Sequence, residues 1–187
     1  MYNHVMLDIE TLGDESNVVI TSIGAVLFDP HHGAQLEEGS RFYATIDIQS
    51  SLNVGLKVTA STLKWWLYND PATLRRMLED AQPLQKVLLD FTSWINQHGD
   101  SNLYIWGRSP RFDAGKMQDA YNACCLKIPW DFRKEMDVRT LMALTPTIWE
   151  TTPARNPHDP IADALKQIEA VCRSYSVLGL RPIEKTI

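Results

Sequence analysis

The chain has few of the features that mark specialised protein classes. Only three of its 187 residues are cysteines, and an odd count without a CxxC pair argues against a disulfide framework and a zinc ribbon. No uncharged apolar run approaches the length of about 20 residues that spans a bilayer, so the sequence predicts no transmembrane helix and no membrane partner. No basic stretch leads into a long apolar segment at the start, which predicts a cytoplasmic protein without a signal peptide.

Basic residues are also scarce. The 18 Lys and Arg residues stand against 23 Asp and Glu residues, which gives a net charge of −5. Affinity for a phosphate backbone comes mainly from clustered Lys and Arg, so this balance argues against a large nucleic-acid footprint. A small footprint stays open, because divalent cations at an acidic site can hold a few phosphates.

The composition itself is that of an ordinary globular domain. Hydrophobic residues make up 44% of the chain and charged residues 22%, which excludes disordered and collagen-like classes. Domains usually have roughly 100 to 200 residues. We therefore expect a single domain over residues 1–187.

The first third of the sequence favours strands. Val5, Leu7 and Ile9 alternate with other residues, residues 18–28 are apolar and β-branched, and residues 41–48 alternate again. Turn-forming segments separate these runs, which predicts an antiparallel meander of three strands.

From residue 60 onward the apolar residues recur at helical spacing. Ser61 is predicted to cap a first helix, and Asp70-Pro71 to start a second. Further helices are predicted at residues 84–99, 110–125, 137–144 and 160–176, around a buried strand at residues 103–106. Residues 146–157 contain prolines and polar residues and predict a loop. The order predicts an α/β fold, a mixed sheet with helices on both faces.

Two acidic residues interrupt the first predicted strand. Asp8 and Glu10 are two apart, so they share one face while Leu7 and Ile9 occupy the other. Burial and mutual repulsion of two carboxylates raise a pKa or destabilise the fold unless a cation compensates them. Taken alone, the pair fits a solvated strand end equally well.

Two predicted helix starts carry further acids. Asp113 lies in the first turns of one helix, where it also suits the helix dipole. Asp159 fits an N-cap before Pro160, which places Asp163 one turn inside the last helix and close to His158. Mg²⁺ and Mn²⁺ prefer carboxylate oxygens, and an imidazole accepts a proton near neutral pH. The set would suit two cations and one base.

Three segments around these residues resemble the motifs of a known enzyme family. LDIETLG, WGRSPRFDAG and HDPIADALKQ look like the three motifs of the DEDDh family of 3′ to 5′ exonucleases. That family has an RNase H-like fold, whose mixed sheet begins with three antiparallel strands. TLKWWLYNDPATLRR and MDVRTL are similar to the branch that contains exonuclease A of T-even phages and the mycobacterial-type exoribonucleases.

The resemblance implies a mechanism and a substrate. Asp8, Glu10, Asp113 and Asp163 would bind two divalent cations, Mg²⁺ or Mn²⁺, and His158 would activate the attacking water. The expected reaction releases nucleoside 5′-monophosphates from the 3′ ends of single-stranded RNA or DNA, with RNA preferred. Related enzymes are often dimers, so a homodimer is also compatible with the resemblance.

Two alternatives stay open. One is a phosphodiesterase specific for short oligonucleotides, which the negative net charge favours. The other is a module that binds nucleic-acid 3′ ends without turnover. Product analysis on substrates of graded length separates the first alternative from a polymer exonuclease.

The resemblance also implies contacts to the terminal nucleotide. Residues near Thr11 and Leu12 would hold it, with Leu12 wedged against its base. The sequence departs from the family where Pro160 replaces a small residue, although proline suits the first turn of a helix. It also departs at Arg108, where many members have Asn. The forked donors of Arg108 suit a phosphate, and a solvated surface arginine fits the sequence equally well.

Aromatic residues supply the remaining candidates for substrate binding. Trp65 and Trp66 point about 100° apart on a helix, so we expect that they do not both face one partner. Trp66 is predicted to lie in the core and Trp65 to stack on a nucleobase. Phe112, beside Asp113, is a second candidate for a base platform, although the sequence slightly favours core packing under the helix start.

Overall fold

The structure is a computed structural model that describes residues 2–35, 37–153 and 158–181. The strands are β1 (Tyr2–Thr11), β2 (Ile20–Asp29), β3 (Gly33–Ala34), β4 (Arg41–Thr45), β5 (Gly99–Gly107) and β6 (Glu135–Asp137). The helices are α1 (Ile48–Asn53), α2 (Ala60–Asn69), α3 (Pro71–Leu78), α4 (Leu84–His98), α5 (Asp113–Ala123), α6 (Val138–Leu144), α7 (Pro146–Thr151) and α8 (Pro160–Leu178).

The strands form one mixed sheet. Its order is β3-β2-β1-β5-β6, and β4 also pairs with β2. The pairs β1-β2, β2-β3 and β2-β4 are antiparallel, whereas β1-β5 and β5-β6 are parallel. The predicted opening meander of β1, β2 and β4 is therefore confirmed. The short strand β3 was not predicted, because two residues are too few to produce an alternating pattern.

Helices cover both faces of the sheet, as predicted. Val5, Leu7 and Ile9 of β1 belong to the larger core, which also contains apolar residues of α4 and α5. Met6 points to the opposite face, where it packs in a second cluster with Ile168 of α8. Among the described residues, no helix is long and apolar enough to cross a membrane.

Two predicted element boundaries near helix starts are wrong. The strand predicted to reach residue 48 ends at Thr45, and Ile48 begins α1. The side chain of Asp47 accepts hydrogen bonds from the backbone N–H groups of Gln49 and Ser50 and so starts that helix. Ser61 lies inside α2 and is not its cap.

Part of the predicted loop at residues 146–157 is helical. Residues 146–151 form α7, and Pro146 occupies its first turn, where the missing N–H of proline costs no intrahelical bond. Residues 154–157 lie outside the described residues. The starts of α3 and α8 are confirmed, because Asp70 and Asp159 accept hydrogen bonds from the N–H groups that follow them.

Candidate active site

The candidate site residues gather at one edge of the sheet. β1 and β5 are parallel neighbours, so their carboxyl ends lie at the same edge. β1 ends at Thr11, just after Asp8 and Glu10, and the chain that leaves β5 enters α5 at Asp113. α8 begins on the same side as Asp8 and Glu10, since it packs against β1 and β2.

Three carboxylates meet where α8 approaches β1. One oxygen from each of Asp8, Glu10 and Asp163 lies within 4.8 Å of the other two. The backbone N–H of His158 donates to Oδ2 of Asp163 at 3.0 Å, which orients that carboxylate. This spacing suits ligands around a common cation, because Mg²⁺ and Mn²⁺ bind clustered carboxylate oxygens.

A glycine lets α8 come this close. Gly24 of β2 lies opposite Asp8 in the sheet register. A Cβ atom at position 24 would lie 2.5 Å from Cβ of Pro160 and 2.9 Å from the backbone nitrogen of Ile161. Any larger residue would push the start of α8 away from the sheet and separate Asp163 from the two carboxylates of β1.

Asp113 approaches the cluster from the other side of the strand ends. It is buried, and the backbone N–H of Ser109 donates to its Oδ2 at 3.5 Å. A Cβ atom at Gly107 would lie 2.7 Å from Oδ2 of Asp113, so this close packing requires glycine at the end of β5. Asp113 is not in the three-residue group, but its charge acts on Asp8.

The carboxylates disfavour one another's ionisation. Burial, followed by the charges of Asp113, Glu10 and Asp163, raises the pKa of Asp8 well above its ordinary value. Burial and the neighbouring carboxylates raise the pKa of Glu10 to about 8, and burial raises the pKa of Asp113 to about 7. The pKa of Asp163 is raised by burial as well. Bound cations would relieve this repulsion, so the donor set fits divalent metal.

His158 stands beside the acidic cluster. Its Nδ1 lies 3.8 Å from Oε1 of Glu10, and its backbone adopts a left-handed φ of 59°. The rings of Trp65 and Trp66 contact the imidazole edge-on, with centroids 5.3 Å and 5.2 Å away. The expectation that the two tryptophans do not share a partner is therefore wrong. The two indole rings also contact each other, with centroids 5.1 Å apart, so one imidazole reaches both.

The two tryptophans nevertheless differ in burial. Trp66 is 3% exposed, and its Nε1 donates to the carbonyl of Thr11 at 2.9 Å, which confirms its prediction as a core residue. Trp65 is 44% exposed. Its ring adjoins His158 and also contacts solvent, as base stacking would require.

Thr11 and Leu12 are committed to internal contacts. The hydroxyl of Thr11 donates to the carbonyl of Gly13 at 2.6 Å. The side chain of Leu12 is 1% exposed and packs in the larger core. A wedge against a nucleobase would require the segment to move away from that core, so this role of Leu12 stays a prediction.

Phe112 and Arg108 lie at the start of α5 and the end of β5. Phe112 is half-buried against the larger core, and Nζ of Lys116 lies 4.2 Å from the centre of its ring. One face of the ring is thus covered. Arg108 is exposed, and its guanidinium carbon lies 4.6 Å from the ring centre of Trp149 in α7. The substrate contacts of both residues stay predictions.

Sequence reasoning missed Gln167. Its Nε2 donates to Oδ1 of Asp8 at 2.7 Å, and the side chain is buried. Gln167 follows Asp163 by four residues in α8, so the two share a helix face that looks onto β1. That spacing was the signal that could have identified it.

A comparison with known families matches residues 3–174 to the 3′-5′ exoribonuclease Rv2179c-like domain. The chain belongs to this family. The match confirms the prediction of a 3′-5′ exonuclease, whereas the narrower phage and mycobacterial branch stays a prediction. A search of curated proteins gives no match.

Solved structures share the fold. Cell-death related nuclease 4 (CRN-4) superposes with a TM-score of 0.69 at 15% identity, covering 93% of this chain and 64% of that one. The nuclease domain of 3′hExo, a DEDDh family member bound to rAMP, gives 0.64 at 15% identity, covering 98% and 96%. S. pombe Pop2p in its Mg²⁺- and Mn²⁺-bound form gives 0.61 at 15% identity, covering 94% and 83%. The predicted RNase H-like fold is thereby confirmed.

Proposed function

We propose that the chain hydrolyses single-stranded nucleic acid, RNA in preference to DNA, from the 3′ end to nucleoside 5′-monophosphates. The observation that carries the proposal is the convergence of three carboxylates within 4.8 Å, with the imidazole of His158 3.8 Å from Glu10. The exoribonuclease family of the chain supports RNA as the preferred substrate.

Asp8, Glu10, Asp113 and Asp163 would hold two divalent cations, Mg²⁺ or Mn²⁺. Their mutual repulsion supports this assignment, and so does the Mg²⁺- and Mn²⁺-bound form of the structurally similar Pop2p. Such cations lower the pKa of an attacking water and compensate the charge that develops on the leaving 3′ oxygen.

His158 would accept the proton of the attacking water. The water oxygen then forms a bond to the terminal phosphorus, the bond from phosphorus to the 3′ oxygen breaks, and that oxygen takes up a proton. Ring contacts with Trp65 and Trp66 hold the imidazole beside the carboxylates, and the bond from the backbone N–H of His158 to Asp163 holds its main chain there. Preorganisation of this kind supplies much of the rate in phosphoryl transfer.

Trp65 would stack on a base of the terminal region, and the segment at Thr11 and Leu12 would border the terminal nucleotide. Support for the first role comes from the exposed ring beside His158. Support for the second comes from the hydrogen bond of Trp66 to the carbonyl of Thr11, which ties this segment to α2.

The proposal is tested with matched single-stranded RNA and DNA, each labelled at the 5′ end, in Mg²⁺ or Mn²⁺. We expect a ladder that shortens from the 3′ end, faster on RNA. The ladder should be absent in an Asp8→Ala, Glu10→Ala double variant and retained in Asp90→Asn, an exposed carboxylate of α4. His158→Gln should lower kcat by about 10²-fold or more, which is the usual contribution of a general base.

Substrates of graded length separate the proposal from the oligonucleotide alternative. A polymer exonuclease shortens long and short strands at similar rates, whereas an oligonucleotide phosphodiesterase loses activity steeply beyond a few nucleotides. A folded wild type that binds Mg²⁺ but leaves every strand intact would overturn the proposal.

A further inference from the structure

Two cationic side chains contact a single tryptophan ring near the acidic cluster. The guanidinium carbon of Arg108 lies 4.6 Å from the ring centre of Trp149, and Nζ of Lys166 lies 4.3 Å from it. Each contact is a cation–π interaction, which fixes the position of the cation. We refer to Arg108, Trp149 and Lys166 as the cation cluster.

Both cations of the cluster are close in sequence to residues that contact or belong to the candidate active site. Arg108 directly follows Gly107, whose Cα packs against Asp113. Lys166 lies on α8 three residues after Asp163, close enough for its charge to act on that carboxylate. The cluster therefore borders the same edge of the sheet as the carboxylates.

The tryptophan that gathers the two cations is held firmly. Arg173 of α8 donates to the hydroxyls of Thr151 and Thr152, at 2.8 Å and 3.0 Å. The hydroxyls of Thr145 and Ser174 are hydrogen-bonded at 2.7 Å. These bonds tie both ends of α7 to α8 and so position the backbone that carries Trp149.

We propose that Arg108 and Lys166, positioned by Trp149, bind a backbone phosphate of the substrate strand on the 5′ side of the bond that is cut. This inference rests on the proposed function. Both charges lie close to one ring, at 4.6 Å and 4.3 Å from its centre, so a phosphate beside that ring is attracted by both. Guanidinium and ammonium groups both bind phosphate, the first through two parallel hydrogen bonds and the second as a point charge.

A rival role for the two cations is to offset the carboxylates. The two roles predict different substrate dependence. A phosphate contact beyond the scissile bond affects only substrates that possess a second phosphodiester. Compensation of the carboxylates affects the chemical step on every substrate, because it acts on the cation site itself.

The test compares an eight-nucleotide oligoribonucleotide with the p-nitrophenyl ester of thymidine 5′-monophosphate, which has a single phosphodiester. For Lys166→Gln and Trp149→Ala we expect KM on the oligonucleotide to rise about tenfold with kcat retained, and the salt slope of binding to fall by about 0.7 for the lost phosphate contact. Activity on the ester should match wild type, because the ester has no phosphate at the position that the two cations would contact.

Two further variants complete the design. Trp149→Phe keeps an aromatic face for both cations and should restore most of the affinity for the oligonucleotide. Lys86→Gln removes the same charge from an exposed pair on α4 and should match wild type on both substrates. Equal losses on the ester and the oligonucleotide, or unchanged KM in Lys166→Gln, would overturn the proposal.

Binding measured without turnover separates this inference from the proposed function. Fluorescence anisotropy of the labelled oligonucleotide with Ca²⁺ as the probe cation should show weaker binding in Lys166→Gln than in Lys86→Gln. If binding is weaker in Lys166→Gln and the wild type does not cleave, the phosphate-binding role of the cation cluster is supported and the exonuclease proposal is rejected. Cleavage by wild type together with equal binding by both variants would reject the cation cluster alone.

Discussion

Titratable groups are buried at both ends of one face of β1, but their surroundings differ in whether they compensate a charge. His4 lies at the first end, where Trp106 donates Nε1–H to its Nδ1 at 2.9 Å and Tyr104 stacks on its ring at 5.1 Å. Burial lowers the pKa of His4 to about 4. At the other end, burial raises the pKa values of Asp8 and Glu10.

The same desolvation thus disfavours a positive charge at one end and negative charges at the other. The difference lies in what the surroundings supply. His4 accepts a hydrogen bond from the neutral indole of Trp106 and has aromatic neighbours, so its surroundings favour the uncharged imidazole. The carboxylates repel one another, and a bound cation would compensate their charge. His4 is therefore an uncharged part of the core. Asp8 and Glu10, which are buried and also repel each other, are suited to bind a cation.

The variant Asp8→Asn, which removes one of the repelling carboxylates, should have the largest effect. We expect activity to fall by about 10³-fold or more, because Asp8 is a proposed ligand of the cations that would compensate charge in the transition state. The melting temperature in EDTA should rise, because one repelling carboxylate is gone. Initial rates and thermal unfolding check both effects, with Asp90→Asn as the control. A lower melting temperature in EDTA would show that the carboxylates do not repel one another in the folded protein.

The opposite end is probed by pH. The pKa of His4 in the folded protein, about 4, lies below the ordinary value of 6.5. Between these two pH values the unfolded chain therefore binds a proton that the folded protein does not. The uncharged His4 contributes to the free energy of unfolding at neutral pH, and this contribution is lost as pH falls from about 6.5 to about 4. The loss amounts to about 3 kcal/mol at roughly 1.4 kcal/mol per pKa unit.

Urea unfolding of wild type and His4→Gln between pH 4.5 and pH 7.5 measures this contribution. The free energy of unfolding should fall more steeply toward low pH in wild type than in the variant. The carboxylates are common to both proteins and cancel in the comparison. Parallel pH profiles would mean that His4 titrates equally in the folded and unfolded states.

Added Mg²⁺ should act on one end only. At about 100 times its dissociation constant, a ligand that binds the folded state alone stabilises it by about 2.7 kcal/mol. We expect this gain in wild type and in His4→Gln, and its loss in Asp163→Asn. Thermal unfolding with and without Mg²⁺ provides the measurement. A full gain in Asp163→Asn would remove that residue from the cation site.

Gln167 is not one of the proposed cation ligands, but it hydrogen-bonds to one of them, Asp8. Gln167→Met removes the hydrogen bond to Asp8, and we expect activity to fall about tenfold, as is typical when a partner of a metal ligand is lost. Gln49→Met on α1 changes an exposed glutamine in the same way and should leave the rate unchanged. A rate equal to wild type in Gln167→Met would mean that Asp8 keeps its position without this contact.

Local rules predicted the parts of the site that depend on local geometry. The two-residue period of a strand placed Asp8 and Glu10 on one face, and the sequence Asp159-Pro160 indicated the start of α8. Local rules failed where two signals compete. The β-branched Ile48 continues an alternating pattern, but the cap at Asp47 starts a helix there. Prolines suggested a loop at residue 146, although proline also suits the first turn of a helix.

The rest of the site depends on how distant elements pack. Contact of both tryptophans with His158 depends on where α2 lies relative to the start of α8. The hydrogen bond from Gln167 to Asp8 joins residues 159 positions apart. The contacts of Trp149 with Arg108 and Lys166 depend on the docking of α7. Composition and periodicity do not contain that information.

The close approaches at Gly24 and Gly107 give the site a genetic consequence. Neither residue has a side chain that could touch a substrate, yet one methyl group at either position would move a helix that carries a carboxylate. A screen for inactive alleles should therefore recover alanine at these two glycines alongside changes at the acids. Such alleles would yield folded protein with the full set of acidic residues, so their defect would be invisible to a search for missing carboxylates.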